Sequence, residues 1–279
     1  GGIYRRTSPQ DNTGDWFSLN SDIQVTEFHD IAYDTVSNII IGGAQDTGTP
    51  QQIIPGGTTW DSISTADGGD VAVDASSLAG MSIRHSSRQI LSGFRAATYD
   101  ASNILISEVF PALTVVGGGA PLIPQFVTPV ELNAVDPVRM VIGGGNSTYE
   151  SLDGGETIME AGPGISVNAD AAAYGGRRDG ADHPDVLYIG TGASVFVRTG
   201  AAPDPLVASP AYTGGFVRDI VLDPNDFRSA YVIDSGQVFQ TSDAGTAWTN
   251  VTGNLVDTDL RSIEFAPSNT NAIFVGGRG

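Results

Sequence analysis

Ser151-Leu152-Asp153-Gly154-Gly155-Glu156-Thr157-Ile158 and Thr241-Ser242-Asp243-Ala244-Gly245-Thr246-Ala247-Trp248 are two copies of one motif, 90 residues apart in a chain of 279. Each follows a short extended run that carries an aromatic residue, Tyr149-Glu150 in one and Phe239-Gln240 in the other. Within the motif, Asp accepts backbone N–H bonds in its own turn and Gly permits the positive φ that follows. The Ser or Thr hydroxyl closes the same turn. A strand, a tight turn and a second strand that recur at long spacing point to repeated small sheets.

Working outward, a hairpin precedes each copy. Val141-Ile142-Gly143-Gly144 leads to Thr148-Tyr149-Glu150-Ser151, and Tyr231-Val232-Ile233-Asp234 leads to Val238-Phe239-Gln240-Thr241. Leu187-Tyr188-Ile189-Gly190 followed by Val195-Phe196-Val197-Arg198 has the same form without the box. β-Branched and aromatic runs around glycine turns read as strands.

Before each hairpin stands a short alternating run that begins or ends near an acid. These runs are Asp30–Asp34, Asp70–Asp74, Glu131–Asp136, Asp170–Tyr174, Arg218–Asp223 and Arg261–Ala266. Pro137, Pro224 and Pro267 then stop three of them. Six such markers at a mean spacing of about 45 residues match the size of a four-stranded propeller blade. The expected fold is all-β: one domain over residues 1–279, a six-bladed β-propeller of four-stranded antiparallel blades. The strand at Ile273-Phe274-Val275 and the N-terminal Ile3-Tyr4-Arg5 would share one blade and close the ring. Seven blades are the alternative, if a long segment hides another. Residues 110–130, with Gly117-Gly118-Gly119, read as a long loop between blades.

The Ser/Thr-x-Asp-x-Gly-x-Thr-Trp pattern resembles the Asp-box, or BNR, repeat of the sortilin-type, xyloglucanase-like and sialidase-like propellers. Ser151, Asp153, Gly155 and Thr157 match it in the first copy, where Ile158 stands in place of Trp. Thr241, Asp243, Gly245 and Trp248 match in the second, where Ala247 replaces Thr. The run Gly42-Gly43-Ala44-Gln45-Asp46 and the Asp67-Gly68-Gly69-Asp70 entry are similar to stretches of secreted bacterial members. The resemblance implies a propeller in which the box residues are structural, and it implies no particular activity.

Composition narrows the function classes. The net charge is −19 and every one of the 13 basic residues is arginine. Such a chain repels phosphate backbones and anionic lipid, so neither nucleic-acid binding nor membrane insertion is expected. There is no cysteine, which removes thiolate chemistry and Cys-based zinc sites. His29, His85 and His183 have no metal-ligand spacing. The start at Gly1-Gly2 is expected of a piece cut from a longer polypeptide.

Two functions remain. The favoured expectation is a noncatalytic, secreted or cell-surface module that binds protein or glycan, or joins an extracellular assembly. It needs no cofactor. The alternative is a glycoside hydrolase, which needs two carboxyl groups facing across a cleft; Asp46, paired with Asp67 or Asp70, is the best candidate. Calcium is the cation that suits the acids Asp179, Asp182 and Asp185, or Asp257 and Asp259, since both sets give hard oxygen ligands at short spacing.

Overall fold

The computed structural model describes residues 4–10, 12–19, 26–256, 259–266 and 269–278, without the side chains of 269–271. Gly1, Gly2, Ile3, Asp257 and Pro267 lie outside the described residues, and with them part of the expected closing strand and of the second calcium cluster.

The structure is all-β apart from one short 3-10 turn. β1 (Tyr4–Arg6) and β2 (Trp16–Ser18) pair with each other as a hairpin. Blade 1 follows, with β3 (Phe28–Asp34), β4 (Ile39–Ala44), β5 (Pro50–Gln52) and β6 (Trp60–Ser62). Blade 2 holds β7 (Gly68–Asp74), β8 (Met81–Arg88), β9 (Ser92–Asp100) and β10 (Leu105–Val109). β11 (Thr114–Val116) then crosses to blade 3, made of β12 (Val130–Leu132), β13 (Met140–Gly143), β14 (Ser147–Ser151) and β15 (Thr157–Pro163). Blade 4 has β16 (Ala172–Arg178), β17 (Ala181–Thr191), β18 (Ser194–Arg198) and β19 (Val207–Ala208). Blade 5 has β20 (Asp219–Leu222), β21 (Ala230–Ile233), β22 (Val238–Thr241) and β23 (Thr249–Asn250). β24 (Leu260–Ala266) and β25 (Asn269–Gly277) form a last hairpin.

Consecutive strands in every blade are antiparallel neighbours, and each marker run forms the first strand of its sheet. The count differs from expectation. Five complete blades are present rather than six, and no pairing among the described residues closes the ring. The sixth marker forms only the hairpin β24–β25, because the N-terminal strand β1 pairs with β2 instead of β25. The segment 110–130 is not all loop, since β11 adds in parallel to β15 as a fifth strand of blade 3.

The core lies between sheets. Ile39 and Ile41 of blade 1 pack with Val71 of blade 2. Phe94 of blade 2 meets Met140, Tyr149 and Ile158 of blade 3. Val141 of blade 3 meets Tyr174 and Leu187 of blade 4. Tyr188 and Val195 of blade 4 meet Ile220 and Phe239 of blade 5, and Ile233 of blade 5 meets Leu260 and Ile263 of the last hairpin. Each sheet therefore buries one face against the next, as stacked sheets with alternating side chains must.

Polar side chains also bridge the blades. Arg84 on β8 is fully buried; it donates to Asp34 at 2.8 Å, Gln51 at 2.8 Å and Ser37 at 3.0 Å, and lies 3.8 Å from the Tyr99 ring centre. Burial pushes the Asp34 carboxyl up, but bonds from Ser82, Arg84 and Ser37 outweigh that and hold it below the usual carboxylate range. Glu150 of blade 3 takes both terminal nitrogens of Arg198 from blade 4, at 2.7 and 3.1 Å.

Candidate functional site

The innermost strands β3, β7, β12, β16, β20 and β24 line one channel of about 1000 Å³. Each contributes a carboxylate, near its start in five of them and past the middle of β24 in the sixth: Asp30, Asp70, Glu131, Asp170, Asp219 and Glu264. The free edge of an innermost strand turns N–H groups toward the channel where no further strand accepts them. Carboxylates fill part of that need. Asp70 accepts from its neighbour Val71 at 2.9 Å and from Val130 of blade 3. Asp219 accepts from Ile220 at 2.7 Å and, across the next junction, from Ile263 at 2.8 Å. Asp30 reaches Val71 of blade 2 at 3.0 Å. Three junctions are thus tied by a carboxylate of one sheet on an amide of the next.

The belt is electrostatically unusual. Burial, and after it the charge of Asp30, pushes Asp70 well above the usual carboxylate range. The two carboxyl groups are neighbours, since the Val71 N–H donates to Asp30 at 3.0 Å and to Asp70 at 2.9 Å. Burial also raises Glu131, reinforced by Asp219, Asp30 and Glu264, and raises Asp170 to about 7 with Asp30 adding to it. Asp219 and Glu264 are raised for the same first reason, although backbone bonds pull both back. Glu131, Asp170 and Glu264 keep exposed surface at the channel wall, so solvent there moderates the repulsion among them.

The other acids singled out in the sequence have different places. Asp46 sits at φ 64 in the turn after β4, where its backbone N–H donates to Asp67 at 2.8 Å. Gln45 also donates to Asp67, at 2.5 Å, and to Asp46 at 3.2 Å. These three residues form one loop-to-loop staple between blades 1 and 2. Asp70 faces the channel instead. Asp179, Asp182 and Asp185 do not converge: they pair with Arg178 at 3.3 Å, Arg177 at 2.8 Å and Arg139 at 2.7 Å. Among the described residues no three His, Asp or Glu side chains group as a metal site. Burial holds His85 neutral, with its pKa lowered to about 4, and its ring stacks on Phe94.

The two repeated turns have the same internal bonding. Ser151 donates to Asp153 at 2.9 Å, while Asp153 accepts from the Thr157 N–H at 2.9 Å and the Thr157 hydroxyl at 2.6 Å. Thr241 donates to Asp243 at 2.8 Å, and Asp243 accepts from the Ala247 N–H at 2.9 Å. The hydroxyls of Ser151 and Thr241 accept from Gly155 and Gly245 at 2.9 and 3.0 Å. Trp248 packs on the blade 4–5 core and donates to Ser209 at 2.8 Å; Ile158 fills the matching place at the blade 2–3 core.

Of the belt, sequence reasoning marked only Asp70 as a site residue. The other five acids were visible within the strand markers, and their recurrence in the first strand of each repeat was the signal that they meet in one channel.

No protein-family model matches the chain, and no curated protein matches it in sequence. Solved structures do resemble it. A GH74 enzyme of Niastella koreensis is 18% identical, with a TM-score of 0.58, over 90% of this chain and 40% of that one. The chain therefore spans less than half of that enzyme. YCF48 from Cyanidioschyzon merolae is 11% identical, with a TM-score of 0.50, over 87% of this chain and 91% of that one. At such identities the likeness concerns the fold alone: this chain is built as a β-propeller of four-stranded antiparallel blades.

Proposed function

We propose that the chain is a noncatalytic propeller module of the BNR/Asp-box type that presents its outer face to a protein partner outside the cell. The observation that carries this is the engagement of the candidate catalytic acids. Asp67 is held by a backbone N–H and an amide, Asp70 by two backbone N–H groups, and the Asp46 carboxylate accepts from the Gln45 amide at 3.2 Å. A glycosidase instead needs two carboxyl groups free to reach a sugar from opposite sides. The channel's aromatic residues, Tyr174 and Phe265, are 1% and 6% exposed and offer no open ring for sugar stacking.

The partner surface is the outer edge of blade 2. All of β10 is exposed, and Ile104, Ile106 and Phe110 are 58%, 56% and 62% open. Asn103 ties this edge to blade 1 by donating to the carbonyls of Gln52 and Ile53, beside the exposed Ile53 and Ile54. Exposed apolar side chains grouped along one edge suit an interaction surface. Because it is mainly aliphatic, it suits a protein better than a sugar. The charge of −19 favours a partner with a basic rim. The acidic composition fits a secreted or cell-surface setting, and in this proposal the hairpins β1–β2 and β24–β25 together make the sixth blade.

Two assays test the proposal. Incubation with a panel of soluble polysaccharides is expected to release no new reducing ends above a heat-denatured control; steady release abolished by Asp70→Asn would refute it. A photo-crosslinking residue at Ile106, in the cells that make the protein, is expected to trap a discrete protein that the same residue at Val256 does not. A smear identical at both positions would remove β10 as the partner surface.

A further inference from the structure

We propose that the carboxylate belt is a proton-dependent clamp: protonated carboxyl groups hold the inner strands around the channel, and losing those protons loosens the ring. The argument starts from geometry. Six carboxyl groups from six inner strands share one cavity, and two of them, Asp30 and Asp70, are close neighbours, because both accept from the one Val71 N–H, at 3.0 and 2.9 Å. Like charges on neighbouring carboxyl groups repel, so ionising the belt works against the packing of the inner strands.

The surrounding charges do not replace the proton. On β3 the neighbour is His29, whose ring meets the edge of Phe126. β7 adds Asp74, and the end of β20 adds Asp223, both acidic. On β16 Arg177 pairs with Asp182 at 2.8 Å, and on β24 Arg261 pairs with Asp259 at 2.8 Å. Arg218, just before β20, lies over the Phe216 ring. β12 contributes only Glu131. Among the described residues no arginine forms an ion pair with any of the six acids.

The sign follows from the direction of the shifts. Asp70, Glu131, Asp170, Asp219 and Glu264 are raised, Asp170 to about 7. The folded chain then binds more protons than the unfolded chain from about pH 4 upward, and stability falls as pH rises through the folded values. Asp34, Asp74 and Glu150 are lowered, so their contribution is lost only as pH falls below the usual carboxylate range. The two groups act in separate windows, which leaves maximum stability on the acid side of neutral.

The test is thermal melting at constant ionic strength, with chelator present, from pH 5 to pH 8. Wild type is expected to lose about 5–10 °C in Tm over that range. Glu131→Gln copies the protonated side chain, and Asp30→Asn removes the charge beside Asp70 while keeping an oxygen to accept from Val71. Either variant should match wild type at pH 5 and lose less than half as much by pH 8. Should one fail to fold, the other decides. A wild-type Tm that is flat or rises toward pH 8, or variants that keep the full loss, would overturn the proposal. So would millimolar calcium chloride erasing the loss in wild type, because a cation rather than a proton would then be the partner of the belt.

Discussion

Single residues set the turns on which the repeat depends. Gly154 and Gly155 have φ of 74° and 94°, while the equivalent positions in blade 5 are Ala244 at 58° and Gly245 at 79°. A Cβ on Gly154 would meet nothing within 4 Å, whereas one on Gly155 would lie 3.1 Å from Pro111 and 3.2 Å from Phe94. Gly154→Ala is therefore expected to lose only the backbone preference, about 1 kcal/mol. Gly155→Ala adds overpacking and should lose about 2–4 kcal/mol. Urea melts of the two variants check the order, and equal losses would contradict it. These turns were legible because Asp, Gly and hydroxyl residues at fixed spacing have one local solution. Asp46 and Asp67 were not legible as a staple, because their contact depends on how two blades meet.

At the scale of elements, the junctions between blades combine apolar packing with buried charge. Arg84 on β8 and Asp34 at the end of β3 are both fully buried and paired at 2.7 Å. Arg84→Met leaves Asp34 buried without its cation and is expected to lower stability by about 3–5 kcal/mol; adding Asp34→Leu should recover much of the loss. Denaturant melts of the single and double variants measure this, and a double variant worse than the single would contradict it. The inner strands were easy to find, because a short alternating run with an acid marks each of them, and a following Pro marks three. β8 was harder: Met81-Ser82-Ile83-Arg84-His85-Ser86 looks polar, yet Ser82, Arg84, His85 and Ser86 are all buried. Buried polar groups satisfied across a blade junction break the hydrophobic alternation that a sequence pattern needs.

For the whole molecule, the sequence periodicity reached the repeat but not the closure. Six marker strands do line one channel, yet among the described residues only five become full blades, since closure depends on where two chain ends pair and no local pattern specifies that. If the two terminal hairpins form one blade, removing residues 1–19 should lower Tm by several degrees; an unchanged Tm would separate β1–β2 from the ring. The central claim is that the channel acids hold blades together. The most direct measurement of it is amide hydrogen exchange at Val71, Val130 and Ile263, whose N–H groups donate to channel carboxylates. The account predicts strong protection at all three near pH 6, with selective loss at Val130 and Val71 in Asp70→Ala while Ile263 stays protected. Exchange at these amides as fast as at an open strand edge in the wild-type protein would contradict it.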